Sequence, residues 1–419
     1  MATMDTPSAV VVPAGTDVQH SYDVLILDGS NKQSLACVRS LGRIGLRVAV
    51  GECAAECDAG KSALSFRSRY AAHSLVLPDV AEGADAFAAE VVGFVREHLV
   101  RVVIPTNDGA ITAMTPYRSQ LATLGCTLAL ASDTSLTIAN DKDRTLEVAD
   151  RLGIAYPRTM RIDSLDDLPA VVTAFEFPFV LKPTVSFPRD APVRLQVTEV
   201  IDEVEAISAI QAYLSSGSGV LAQQWACGRR EGVSLLMADG EVRAACAHAA
   251  HRTSPALGGA SVLRESIPLL PDLYEPAVRL VQEIGLDGVC EVEFRRDAAG
   301  RPLLMEVNAR LAGTIENAVH SGVDFPLMLW QWAAGQPVSP ATGYRVGVRT
   351  RWLHGDLRWL RDNQRRVGRP DSVSRARALS SFAGEFLRTR HLDCVDWRDL
   401  RPALAELRAT ARAVLKSRN

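Results

Sequence analysis

The stretch Leu303-Leu304-Met305-Glu306-Val307-Asn308-Ala309-Arg310 is an apolar run that ends in a carboxylate, an amide and a guanidinium, each two residues after the last. Side chains alternate faces along a strand, so Glu306, Asn308 and Arg310 are expected to share one face. Upstream, Glu291-Val292-Glu293-Phe294 forms a second apolar run, separated by the turn Asp297-Ala298-Ala299-Gly300. A hairpin across that turn would bring Glu293 and Glu306 together. Two carboxylates at close quarters repel unless a cation lies between them, and hard oxygen ligands suit Mg²⁺. Arg310 beside the pair could hold an anion such as phosphate. The plain alternative is an edge hairpin with solvated charges.

Lysine usage sharpens the reading. Lys and Arg total 46, yet Lys occurs only at positions 32, 61, 142, 182 and 416. Lys182 closes the run Phe177-Pro178-Phe179-Val180-Leu181, which reads as a buried strand. Lys142 lies in Asn140-Asp141-Lys142-Asp143, where an amphipathic helix begins. A flexible point charge after a buried strand suits a polyphosphate, although snorkelling lysines would look the same.

Length and composition bound the class. The chain has 419 residues, enough for two or three domains with a large core. Its net charge of −3 excludes a general nucleic-acid footprint. No apolar run approaches the roughly 20 residues of a membrane span, and the N-terminus lacks the pattern of a secretory leader. Eight scattered Cys are expected to be reduced thiols in a cytoplasmic protein.

Along the chain, residues 1–20 are small and aperiodic and are expected to form a disordered tail. Tyr22 to Asp28, a helical stretch from Gln33 to Ile44 and Arg47 to Val50 make a βαβ opening. Val102-Val103-Ile104-Pro105-Thr106-Asn107-Asp108 repeats the strand with a polar loop at its carboxyl end. Ligands of open parallel sheets bind at such ends, so Asp28, Asn107 and Asp108 are substrate-side candidates, with helix capping as the competing role. Helices are expected over 143–152 and 202–212, and a hairpin about Ala238-Asp239-Gly240. Gly258-Gly259 suggests a loop passing close to a ligand. The Arg-rich segment from Gly343 reads as a solvated helical cap.

Taken in order, Lys142, Lys182, Gln223-Gln224-Trp225-Ala226, Glu293 and Glu306-x-Asn308-x-Arg310 resemble the ATP-grasp superfamily, specifically its carboxylate–amine ligase-like members. The resemblance covers about Val24 to Gly335. It implies a mixed α/β and α+β fold with an N-terminal Rossmann-like pre-ATP-grasp domain over 21–131 and a small lid domain over 132–214. A metal and nucleotide domain over 215–340 and a helical C-terminal extension over 341–419 would follow. It implies ATP and Mg²⁺, with Mn²⁺ as a substitute. Lys142, Lys182 and Ser186 would contact nucleotide, and Gln223, Gln224, Trp225 and Ala226 would hold adenine. Glu231 matches a ribose-binding carboxylate. Glu293, Glu306 and Asn308 would bind metal, and Arg310 and Arg252 would face the phosphoryl transfer. Relatives often carry a Gly-rich loop after the second Lys; this chain has Pro183-Thr184-Val185-Ser186-Phe187-Pro188.

The implied reaction is ATP-dependent ligation of a small-molecule carboxylate to an amine through an acyl phosphate, by an enzyme without nucleic-acid or membrane partners and compatible with a homodimer. The alternatives are a non-catalytic ATP-binding protein, a carboxylase or carbamoyl-phosphate-type enzyme, and an Arg-rich nucleic-acid binder, which salt-dependent binding would distinguish.

Overall fold

The computed structural model describes residues 21–58, 63–187, 195–217, 219–255, 259–366, 369 and 372–416. The expected tail and Gly258 lie outside the described residues.

Strands β1 (Tyr22–Ile26), β2 (Val48–Cys53), β3 (Ala71–Leu77), β4 (Val100–Ile104) and β5 (Thr127–Leu128) form a parallel sheet in the order β3-β2-β1-β4-β5. Val-rich strands buried on both faces suit such a sheet. The helix Lys32–Arg43 makes the first crossover, one residue earlier than its periodicity suggested. The order reverses between β1 and β4, and their carboxyl-end loops meet there: the Thr106 amide donates to Asp28 Oδ2 at 2.9 Å. Asn107 caps the helix Asp108–Met114.

The second sheet comprises β6 (Thr159–Ile162), β7 (Phe179–Pro183), β8 (Thr198–Val200) and β9 (Val220–Gln224), in the antiparallel order β6-β9-β7-β8. The helix Glu203–Ser215, capped by Asp202, covers it. Val220–Gln224 was expected to open the third module. It pairs instead with β6 and β7, because Val220 and Ala222 complete a core with Phe179, Leu181 and Ile210.

The third sheet has seven strands: β10 (Arg230–Ala238), β11 (Glu241–Ser254), β12 (Ala260–Ile267), β13 (Gly288–Arg296), β14 (Pro302–Asn308), β15 (Arg349–Arg351) and β16 (His391–Leu392). Their order is β14-β13-β10-β11-β12-β15-β16. Leu280, Val292 and Leu304 from this part share one core with Leu128 and Leu136, so the first and third sheets are packed together.

The C-terminal segment has the expected helices, mostly exposed or half-buried, but is more than a solvated cap. Its helices Leu353–Arg365, Arg375–Arg388 and Arg401–Lys416 are present, but it also supplies β15 and β16 to the large sheet. Several of its charges are internal. Asp393 pairs with Arg264 at 2.8 Å and Asp356 with Arg351 at 2.6 Å, all four side chains fully buried. Among the described residues no helix is long and apolar enough to cross a membrane.

Candidate active site

The hairpin of β13 and β14 sets Glu293 directly opposite Glu306 and Glu291 opposite Asn308. Asn308 Nδ2 donates to Glu293 Oε1 at 3.2 Å, and Arg230 Nε lies 3.1 Å from Glu293 Oε2. Burial, only partly offset by Arg230, and the charges of Glu306 and Glu291 push the Glu293 carboxyl up to about 8. Burial also works against charge on Glu306, but Lys142, Lys182 and Arg230 outweigh it and hold that carboxyl below its usual range. Two acids this close raise the cost of each other's ionisation, a cost that a cation between them would relieve.

Both lysines converge on this pair from the smaller sheet's side. Asp141 caps the helix Lys142–Arg151, which sets Lys142 at its first turn. Lys142 Nζ donates to Ser186 Oγ at 2.8 Å and lies 3.8 Å from Glu306 Oε2. Lys182, on β7, is buried, and burial drives its ammonium down to about 8, with Glu306 opposing and Lys142 and Arg295 adding to the fall. Arg310 follows β14. Its Nε donates to Asp108 Oδ1 at 2.6 Å and its guanidinium reaches Asn308 Oδ1 at 3.1 Å. Asp108, the first residue of the helix that follows β4, is thereby drawn into the cleft.

A single cavity joins Lys182, Glu293 and Glu306 to the end of β9 and the connection that follows it, where Gln223, Gln224, Trp225 and Ala226 line it. Arg295 stacks over the Trp225 ring at 5.9 Å and donates to the Ala226 carbonyl at 2.7 Å, fixing that hinge. Gln223 Nε2 is tied to Thr159 at 3.0 Å. Gly228 approaches the Arg296 carbonyl so closely that a Cβ would stand 2.0 Å from it.

Four expectations are corrected by the geometry. Glu231 is fully buried and paired to Arg229 and to Arg296 at 2.7 Å. It faces away from the cavity because strand alternation turns Arg230 inward instead. Arg252 is paired with Asp356 at 2.7 Å and stacked over Trp359 at 4.3 Å, so it anchors a C-terminal helix. Asp28 is engaged with Thr106, and Asn107 serves as a helix cap, so neither lines the cleft. Gly259 does border the cavity, and its carbonyl accepts from Arg230 at 2.8 Å.

Sequence reasoning missed Arg230 and the group behind it. Glu291 accepts from Thr314 at 2.6 Å and lies 3.6 Å from His248. His248 stays neutral, pushed down to about 4 by burial. Gly232 makes room for that ring: a Cβ there would meet His248 Cε1 at 2.4 Å. The alternation Arg230-x-Gly232-x-Ser234 was a legible signal; the partner strand was not.

Comparisons with known proteins agree with this layout. A family described as ATP-grasp in the biosynthetic pathway with Ter operon matches residues 235–355. A probable alpha-L-glutamate ligase of Aeromonas salmonicida (strain A449) is 29% identical over 198 residues, which is 44% of this chain and 60% of the relative. The chain thus matches three fifths of that relative's length. Among solved structures, an L-amino acid ligase from Bacillus licheniformis superposes with a TM-score of 0.59 at 18% identity, covering 77% of this chain and 78% of that one. A biotin carboxylase from Campylobacter jejuni gives 0.62 at 15%, covering 78% and 74%. N5-Carboxyaminoimidazole synthetase from Staphylococcus aureus gives 0.57 at 10%, covering 79% and 82%. These likenesses establish the fold.

Proposed function

We propose that this chain, which belongs to the ATP-grasp superfamily, is an ATP-dependent ligase that activates a carboxylate as an acyl phosphate and joins it to an amine, releasing ADP and phosphate. The observation that carries the reading is one cavity running from the hinge at Gln223–Ala226 to the facing carboxylates Glu293 and Glu306, with Lys182 on its wall.

A carboxylate is a poor electrophile in water. An oxygen of the substrate carboxylate attacks the γ-phosphorus of ATP, the bond to the β-bridging oxygen breaks, and ADP departs. The amine nitrogen then attacks the acyl carbon, phosphate leaves with the bonding pair, and the nitrogen gives up a proton. Both steps are limited by charge on the phosphoryl group, so cations and positioning supply the catalysis. In this reading Lys142 and Lys182 hold the α- and β-phosphates, with Ser186 fixing Lys142. The hinge holds adenine. Arg310, oriented by Asp108, lies against the transferred phosphoryl. Glu293, Glu306 and Asn308 fit Mg²⁺, or Mn²⁺ in its place, which would neutralise phosphate charge when bound. The alternation of acid and amide oxygens, and the raised pKa of Glu293, support that fit.

The test is Glu306→Gln assayed for ADP release with panels of carboxylates and amines. The variant is expected to keep its melting temperature within a few degrees and to lose ADP release. Undiminished turnover would contradict the assignment.

A further inference from the structure

The acid pair is not open on every side. Arg230 reaches it from β10, which pairs with β13 in the register Arg230 to Arg295, Gly232 to Glu293 and Ser234 to Glu291. Diagonal neighbours on adjacent strands lie within reach of a long side chain. Arg295, directly opposite Arg230, is taken by the Ala226 carbonyl and the Trp225 ring. Gly232 presents no side chain to Glu293, and the Arg230 guanidinium lies against that carboxylate instead. Its Nε is 3.1 Å from Glu293 Oε2, and its Nη1 donates to the Gly259 carbonyl at 2.8 Å. Nε has no aligned acceptor, so the first contact is an ion pair and the second a hydrogen bond. One guanidinium therefore spans a carboxylate oxygen and a carbonyl oxygen on the cavity wall. Both are hard oxygens of the kind that Mg²⁺ takes as ligands.

The remaining oxygens of the set are unevenly committed. Glu293 Oε1 accepts from Asn308 Nδ2 at 3.2 Å, and Asn308 Oδ1 accepts from Arg310 at 3.1 Å. Lys142 Nζ stands 3.8 Å from Glu306 Oε2, beyond hydrogen-bond distance, which leaves that carboxylate the more available of the two. Phosphoryl-transfer sites hold one or two divalent ions, the second adding positive charge beside the first. A second ion at Glu293 Oε2 would have to stand next to Arg230. That side chain is 15% exposed and is carried by a strand held between β11 and β13, so it has little room to withdraw into water. Like charges at such distances repel strongly where water is scarce.

We propose that the cleft takes a single divalent ion with its nucleotide, at Glu306, Glu293 and Asn308, and that Arg230 takes the place a second ion would have on Glu293. The inference rests on the ligase reading and specifies its metal requirement.

The test counts bound metal. Mn²⁺ is titrated into the protein carrying one equivalent of a non-hydrolysable ATP analogue, and the free ion is followed by electron paramagnetic resonance. The parent is expected to take up about one Mn²⁺ per bound analogue, and Arg230→Gln, which removes the charge, about two. Arg230→Lys, which keeps the charge, should stay near one. A parent that takes up two ions overturns the proposal without any variant. So does an Arg230→Gln protein that melts within a few degrees of the parent and still takes up one, or an Arg230→Lys protein that takes up two. The count involves no turnover: a parent that fails to bind the analogue refutes the nucleotide reading, whereas bound analogue with two ions refutes only the single-ion site.

Discussion

Asp28 adopts a left-handed φ of 61° at the carboxyl end of β1, a conformation Asp and Asn tolerate better than most residues. Burial, and then the charge of Glu52, push its carboxyl up to about 7, against hydrogen bonds from Thr106 that favour the anion. A carboxyl raised from 3.8 to about 7 binds more protons in the folded state between those values. Its stabilising contribution is therefore complete below the unfolded pKa and is lost as pH rises through 7. Asp28→Asn keeps the backbone tolerance and an acceptor for Thr106 but does not titrate. The variant's melting temperature relative to the parent should therefore climb between pH 5 and 8; a constant difference would show that Asp28 is not the buried acid described. At this scale the sequence was most legible where alternation on a strand places a residue. Glu293, Glu306 and Asn308 met as expected. Glu231 and Arg252 did not, because their roles were carried over by position while their own neighbours, Arg296 and Asp356, claimed them.

The connection between β9 and β10 is an element whose backbone path is constrained. Gly228 presses on the Arg296 carbonyl, a backbone atom that cannot rotate away. Gly228→Ala should cost about 1–3 kcal/mol of stability, the scale of overpacking, and weaken ATP binding by shifting the hinge. Urea unfolding and calorimetry that both match the parent would refute that constraint. Elements with strong local signals, such as the hairpin at Asp239-Gly240 and the helix capped by Asp202, followed from the sequence. The strands Arg349–Arg351 and His391–Leu392 did not, since three and two residues carry no readable periodicity. Val220–Gln224 read as a strand, but local pattern names a face and not a partner, so its sheet was misplaced.

Across the whole molecule, a buried charge cluster fastens the C-terminal segment to the rest. Asp393, after β16, takes Arg264 from β12 at 2.8 Å and lies 3.4 Å from Lys32 of the first crossover helix. Asp393→Ala would strand two buried cations and should cost about 3–5 kcal/mol. A loss under about 1 kcal/mol in urea unfolding would mean the cluster is not structural. The order of motifs made the ATP-grasp fold legible; the abundance of Arg concealed that several charges of the C-terminal segment, Arg351, Asp356 and Asp393 among them, are internal, because composition does not tell a solvated guanidinium from a paired one. The central claim is that acyl phosphorylation by ATP drives amide formation in this cleft. The most direct measurement is simultaneous quantification of ADP and amide product, by coupled assay and mass detection, over carboxylate–amine pairs with Mg²⁺. One ADP per amide, and no amide when ATP is omitted, is the predicted result; AMP in place of ADP, or ATP binding without product from any pair, would contradict it.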